Sequence, residues 1–139
     1  IAENPGFVAV VPFYARYPYE VHVTSRSHKS SLTHLERDEK RWLAEILKTV
    51  TCGYDYLFGF SFPYVMIMHQ APTEKTDWSH CHFHIEFYPP YRTATKLKYL
   101  GGCESGGGTF INDTLPEETA AKLRAAISGA VSQASQGAE

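Results

Sequence analysis

His80-Cys81-His82-Phe83-His84-Ile85-Glu86-Phe87-Tyr88-Pro89-Pro90 is the stretch that decides how this chain is read. Residues able to hold a metal or a proton alternate with mostly apolar ones. Alternation with a period of two marks a half-buried strand, because successive side chains leave a strand on opposite faces. A strand over 80–88 puts His80, His82, His84 and Glu86 on one face. Cys81, Phe83, Ile85 and Phe87 fall on the other. The apolar set can cover a core while the polar set lines a site. Pro89-Pro90 ends the strand, since proline has no N–H to give a ladder. Three of the seven histidines fall within five residues here. A plain solvated edge strand would not require them, so the stretch is read as a site.

Working outward, Phe7-Val8-Ala9-Val10-Val11-Pro12-Phe13 reads as a buried strand, apolar, rich in β-branched residues and ended by proline. Glu20-Val21-His22-Val23-Thr24-Ser25 alternates and reads as its hairpin partner, with the aromatic run Tyr14–Tyr19 as a cover over the sheet. From Glu36 the period turns helical. Trp42, Leu43, Ile46, Leu47, Val50, Tyr54 and Leu57 recur at three- and four-residue spacings, the pattern of a core-facing amphipathic helix. Residues 62–69 read as a third strand. After a polar loop, Thr73 to Ser79, the histidine strand is the fourth. Antiparallel pairing of the third and fourth strands places His69 near the histidine face. Five glycines in residues 101–108 read as a mobile loop. Thr114, Pro116 and Glu117 read as a capped helix start, with the helix running through Ala120, Leu123 and Ile127. Residues 1–130 are then one α+β domain, an antiparallel sheet with helices mainly on one face. Residues 131–139 are expected to fray.

The 139 residues suit one domain with a real core, and 43% hydrophobic content excludes a disordered chain. A net charge of −2 gives no electrostatic case for nucleic acid or a membrane surface. Cys52, Cys81 and Cys103 form no CxxC pair and no even framework, which favours a reducing, cytoplasmic setting. No segment has the length of a membrane span. The start Ile1-Ala2-Glu3-Asn4-Pro5 has no basic n-region for a signal peptide. With no initiator methionine, the chain reads as a piece of something longer. Cys52 and Cys81 are expected as core fillers and Cys103 as exposed. His22, His28 and His34 are expected at the surface.

On a strand, His84 and Glu86 lie roughly 6–7 Å apart on one face, at about 3.3 Å per residue. With His69 they make a set of two histidines and a carboxylate, which suits zinc or iron. A fourth ligand would be water or a residue outside this chain. The alternative is a hydrogen-bonded network of the same side chains with no metal. His80-Cys81-His82-Phe83-His84 also looks like a histidine triad, in which His82 would attack a nucleotide α-phosphate as a stand-alone hydrolase. A third reading is a non-catalytic metal- or nucleotide-binding module.

Several segments together resemble a known family. They are Phe7–Phe13, Trp42-Leu43-Ala44, Tyr54-Asp55-Tyr56-Leu57-Phe58, Ser61-Phe62-Pro63-Tyr64, His69-Gln70-Ala71-Pro72, His84–Pro90 and Arg92-Thr93-Ala94-Thr95. The match, from about Phe7 to Arg124, is to the C-terminal half of the galactose-1-phosphate uridylyltransferases, whose two halves are histidine-triad-like. The resemblance implies transfer of UMP from UDP-glucose to galactose 1-phosphate by a ping-pong route through a uridylyl-histidine. That nucleophile lies in a His-Pro-His motif of the N-terminal half, which is not in this chain, so the resemblance implies no catalytic residue here. It implies metal ligands at His69, His84 and position 86, where many members carry histidine and this chain has Glu86. It also implies nucleotide-sugar contacts, made across a homodimer interface, at Lys98, Tyr99 and Glu104. UDP-glucose or UDP-galactose, hexose 1-phosphate and an N-terminal half are the implied partners.

Overall fold

The computed structural model describes residues 1–74 and 76–136. Lys75, in the polar loop, and residues 137–139 of the expected tail lie outside the described residues.

The hairpin expected near the start forms, with one further short strand. β1 (Ala2–Glu3) pairs with β2 (Phe7–Val10), and β2 pairs with β3 (Val21–Ser25), all antiparallel. β4 (Val65–His69) and β5 (His84–Tyr88) complete the sheet in the order β1-β2-β3-β5-β4. One face carries Phe7, Ala9, Val21, Val23, Ile85 and Phe87, each at most 1% exposed. This face is the floor of the core. The opposite face carries His22, His84, Glu86 and His69, with His22 opposite Glu86 and His69 opposite His84. β4 lies at the sheet edge, and all five of its residues are exposed.

The core is roofed by α1 (Arg37–Phe58), which buries Leu43, Ile46, Val50, Gly53 and Tyr54. It begins where the Glu36 N–H donates to the Glu39 carboxylate at 2.8 Å, one half of a capping box. It ends at Gly59, which is left-handed (φ 74°) and whose N–H donates to the Asp55 carbonyl. α3 (Pro116–Gln136) lies against α1. Two glycines permit the close approach: a Cβ on Gly53 would stand 2.6 Å from Ile127, and one on Gly129 would stand 2.5 Å from Tyr56. The sheet and its helices form the expected α+β architecture, and the remaining elements among the described residues are a 3-10 turn (Leu32–His34), β6 (Tyr91–Thr93), β7 (Lys96–Leu97) and α2 (Gly102–Gly107).

Several expectations need correcting. The histidine strand is five residues long, not nine. The Cys81 N–H turns back to the Trp78 carbonyl and the Phe83 N–H donates to Lys29, so 80–83 leave the ladder. The glycine-rich segment is not an open loop; it winds into α2 and buries Glu104. α3 continues through 131–136, where fraying was expected. The Thr114 hydroxyl donates to Asn112 at 2.7 Å instead of capping that helix. Cys52 is exposed, on a side of α1 that faces away from the core residues. Cys103 is exposed and Cys81 half-buried.

Candidate metal and nucleotide-sugar site

The register of β4 on β5 brings His69, His84 and Glu86 together, with one ligating atom of each within 4.8 Å of the others. His69 Nε2 is 3.1 Å from Glu86 Oε2, and His84 Nε2 is 3.5 Å from Glu86 Oε1. Those spacings are close to the roughly 3.3 Å edge of a tetrahedron with metal–ligand bonds near 2.0 Å. The two imidazoles stack, with centroids 4.6 Å apart and planes 11° from parallel.

The tautomer of His84 is set by its neighbour. Its Nδ1 is 2.8 Å from the His82 carbonyl, which can only accept, so Nδ1 carries the proton. A neutral ring then turns the bare Nε2 lone pair toward the Glu86 carboxylate. Two acceptors facing each other at 3.5 Å call for a cation or a proton between them. A ligating histidine whose other N–H is held by a carbonyl is the usual arrangement at metal centres. Burial pushes the Glu86 carboxyl up, but the Tyr88 hydroxyl, His22 and His69 outweigh it and hold it below the ordinary carboxylate value. Glu86 is therefore ionised, as a ligand must be. Burial, and then the bond it donates to Glu86, pushes the Tyr88 hydroxyl up.

His22, expected at the surface, is buried on this same face. Its Nε2 lies 2.8 Å from Glu20 and 3.6 Å from Glu86. His28 and His34 are exposed, as expected. His80 and His82 are not part of the cluster. The His82 Nε2–H donates to the Ser25 carbonyl at 2.9 Å, and the ring packs against His28. That nitrogen offers no free lone pair to a phosphorus atom, so the hydrolase reading is not favoured.

A cavity of about 660 Å³ opens beside the cluster, lined by His69, Glu86 and Tyr88 together with Arg16, Tyr17, Lys98 and Phe110. Lys98 and Glu104 meet beneath it. Lys98 Nζ donates to Glu104 Oε1 at 2.7 Å, with side chains 0% and 2% exposed. The Lys98 ammonium first, then the Gly101 and Ile111 amides, hold the Glu104 carboxyl at about 2 against the opposing effect of burial. Tyr99 points away, 78% exposed. Sequence reasoning missed Arg16, Tyr17, Phe110, Tyr88 and the Glu20–His22 pair. The last had a signal: Glu20-Val21-His22 repeats, in reverse, the alternation of His84-Ile85-Glu86.

A five-stranded antiparallel sheet with a helix on its apolar face and histidines on the other defines a histidine-triad-like domain. The same fold appears in a solved zinc-bound histidine triad family protein from Mycobacterium smegmatis (TM-score 0.64, 16% identity, 96% of this chain and 86% of that one). Residues 1–136 match the family model described as galactose-1-phosphate uridyl transferase, C-terminal domain, and the chain belongs to that family. It is 48% identical over 125 residues to the galactose-1-phosphate uridylyltransferase of Thermotoga maritima, covering 89% of this chain and 39% of that protein. A solved uridylyltransferase structure superposes with a TM-score of 0.85 at 42% identity, over 92% of this chain and 40% of that one. The chain thus spans about two fifths of the length of these relatives.

Proposed function

We propose that this chain acts as the C-terminal domain of a galactose-1-phosphate uridylyltransferase. The reaction moves UMP from UDP-glucose, through a uridylyl-histidine, to a hexose 1-phosphate. The nucleophile belongs to a His-Pro-His that these 139 residues do not contain, so turnover needs an N-terminal half. The setting is a homodimer in a reducing cytoplasm. Among the described residues no helix is long and apolar enough to cross a membrane.

His69, His84 and Glu86 are proposed to hold a divalent zinc or iron ion. The observation that carries this is the convergence of one ligating atom from each of the three residues within 4.8 Å, with His84 Nε2 3.5 Å from the Glu86 carboxylate. The ion would supply a positive charge that ties the ends of β4 and β5 together. The chain's own residues orient it: the His82 carbonyl holds His84, and the Tyr88 hydroxyl holds Glu86. Lys98, Tyr99 and Glu104 are proposed as nucleotide-sugar contacts. Tyr99 is open to a ligand, whereas Lys98 and Glu104 reach one only if their pair opens.

Elemental analysis of the purified chain is expected to find bound zinc or iron, held weakly because one family ligand is absent, and none in His84→Ala. UMP transfer is expected only when the N-terminal half is supplied. Metal retained in His84→Ala, or transfer by this chain alone, would overturn the reading.

A further inference from the structure

Glu20 and His22 lie outside the trio, yet they are the most buried polar groups on its face. Glu20 is 1% exposed, at the turn into β3. Its Oε2 accepts the Arg16 and Tyr17 amides at 2.7 and 3.0 Å, which fixes the carboxylate. Its Oε1 is left for His22 Nε2 at 2.8 Å. A carboxylate held by two amides is an acceptor only, so His22 Nε2 carries a proton. That nitrogen also lies 3.6 Å from Glu86 Oε1, a close electrostatic contact rather than a hydrogen bond, because its one N–H is given to Glu20. His22 and Glu86 are directly opposed across β3 and β5, on one face. Two further rings stand beside that of His22: Tyr14, with ring centroids 6.0 Å apart, and His84, at 6.5 Å.

The two Glu86 oxygens therefore face different neighbours. Oε2 takes the Tyr88 hydroxyl and His69. Oε1 stands between His84 Nε2 and His22 Nε2, at 3.5 and 3.6 Å. We propose that His22, anchored by Glu20, is a positioning residue that fixes the orientation of the Glu86 carboxylate and through it the geometry of the trio. For metal affinity, the proposal rests on the metal reading given above. Without His22, the Oε1 side of Glu86 loses the ring that stands 3.6 Å from it, and the buried Glu20 loses its hydrogen-bond partner. Outer groups that orient a ligand are commonly worth 10- to 100-fold in metal affinity.

Co²⁺ is the probe, because its visible bands report coordination geometry as well as affinity. His22→Leu, with folding checked by circular dichroism, is expected to weaken Co²⁺ binding by about 10- to 100-fold and to shift the bands. His22→Gln keeps an N–H for Glu20 and is expected to recover most of both. In the metal-free protein, the ¹⁵N signals of the His69 ring, which bonds Glu86, are expected to move in His22→Leu. Unchanged affinity, bands and His69 signals in a folded His22→Leu would overturn the proposal. If the wild-type protein takes up no Co²⁺, the metal reading fails by itself. The His69 signals then decide the positioning role: movement supports it, and no movement overturns it. Should His22→Leu not fold, Glu20→Gln carries the same test, because its amide oxygen still accepts the Arg16 and Tyr17 amides.

Discussion

The trio on β4 and β5 and the Lys98–Glu104 pair under α2 are built from similar ionisable material and reach opposite ends. In the pair every charge is met. Lys98 donates to Glu104 and to the Ile111 carbonyl, and Glu104 accepts the Gly101 and Ile111 amides. In the trio the His84 Nε2 faces the Glu86 carboxylate across 3.5 Å, with side chains 33% and 14% exposed. A closed set of partners makes a brace. A set short of positive charge, with access to solvent, makes a receptor for a cation.

The largest effect is expected from the frame that aims the trio. Phe87 stands behind Glu86 on β5, at 0% exposure. Phe87→Ala is expected to cost about 3–5 kcal/mol, read from urea unfolding. It should also scatter the trio and lose the metal, while a loss under about 1 kcal/mol would show that β5 is not the keystone of the sheet.

His84→Ala separates the two regions directly. Removing a ligand is expected to weaken metal binding by at least about 100-fold, or about 2.7 kcal/mol. Lys98→Ala should leave metal uptake as it was, because its charge is consumed by Glu104. Titration calorimetry with Zn²⁺ checks both. Equal losses would mean that the regions act as one site.

The trio was legible because strand periodicity exposes it: His84 and Glu86 are two apart, and proline marks the strand end. The same rule overreached at His80 and His82. Alternation assigns a face only while the ladder lasts, and the ladder stops where Cys81 and Phe83 bond to Trp78 and Lys29. His22 was misplaced for a related reason. Its strand was read correctly, but nothing local says that the polar face of a sheet will be covered. The family resemblance reached Lys98 and Glu104 as positions, but six residues apart in a glycine-rich stretch they carry no periodic signal. Their partnership depends on α2, whose glycines argue against a helix. Cys52 was misread from its residue type alone: helical spacing puts it on the side of Lys48, Thr49, Asp55 and Tyr56, away from the core positions, so its exposure was legible.

A smaller effect is expected at Tyr99, which is the exposed counterpart of the closed pair. Tyr99→Ala removes no packing, so stability should stay within about 0.5 kcal/mol. With the N-terminal half supplied, UDP-glucose affinity is expected to fall about fivefold, the worth of one aromatic contact. Unchanged affinity by calorimetry would remove Tyr99 from the site and leave the segment a structural brace only.

The smallest effect concerns acid, and it tests whether the brace is ionic. The Glu104 carboxyl sits at about 2 against an ordinary 4.5, chiefly because Lys98 and two amides hold its charged form. A carboxyl depressed in the folded state favours folding once it is ionised in both states. That contribution is complete above about pH 4.5 and is lost as the pH falls toward 2. Glu104→Gln has no such proton to take up. Its urea midpoint should lie below that of the wild-type protein at pH 7, and the gap should narrow through pH 4 and 3. Acid does not neutralise Lys98, so the gap need not close completely. A gap that stays constant from pH 7 to pH 3 would show that Glu104 is held by shape and neutral hydrogen bonding. The contrast with the trio would then rest on exposure alone.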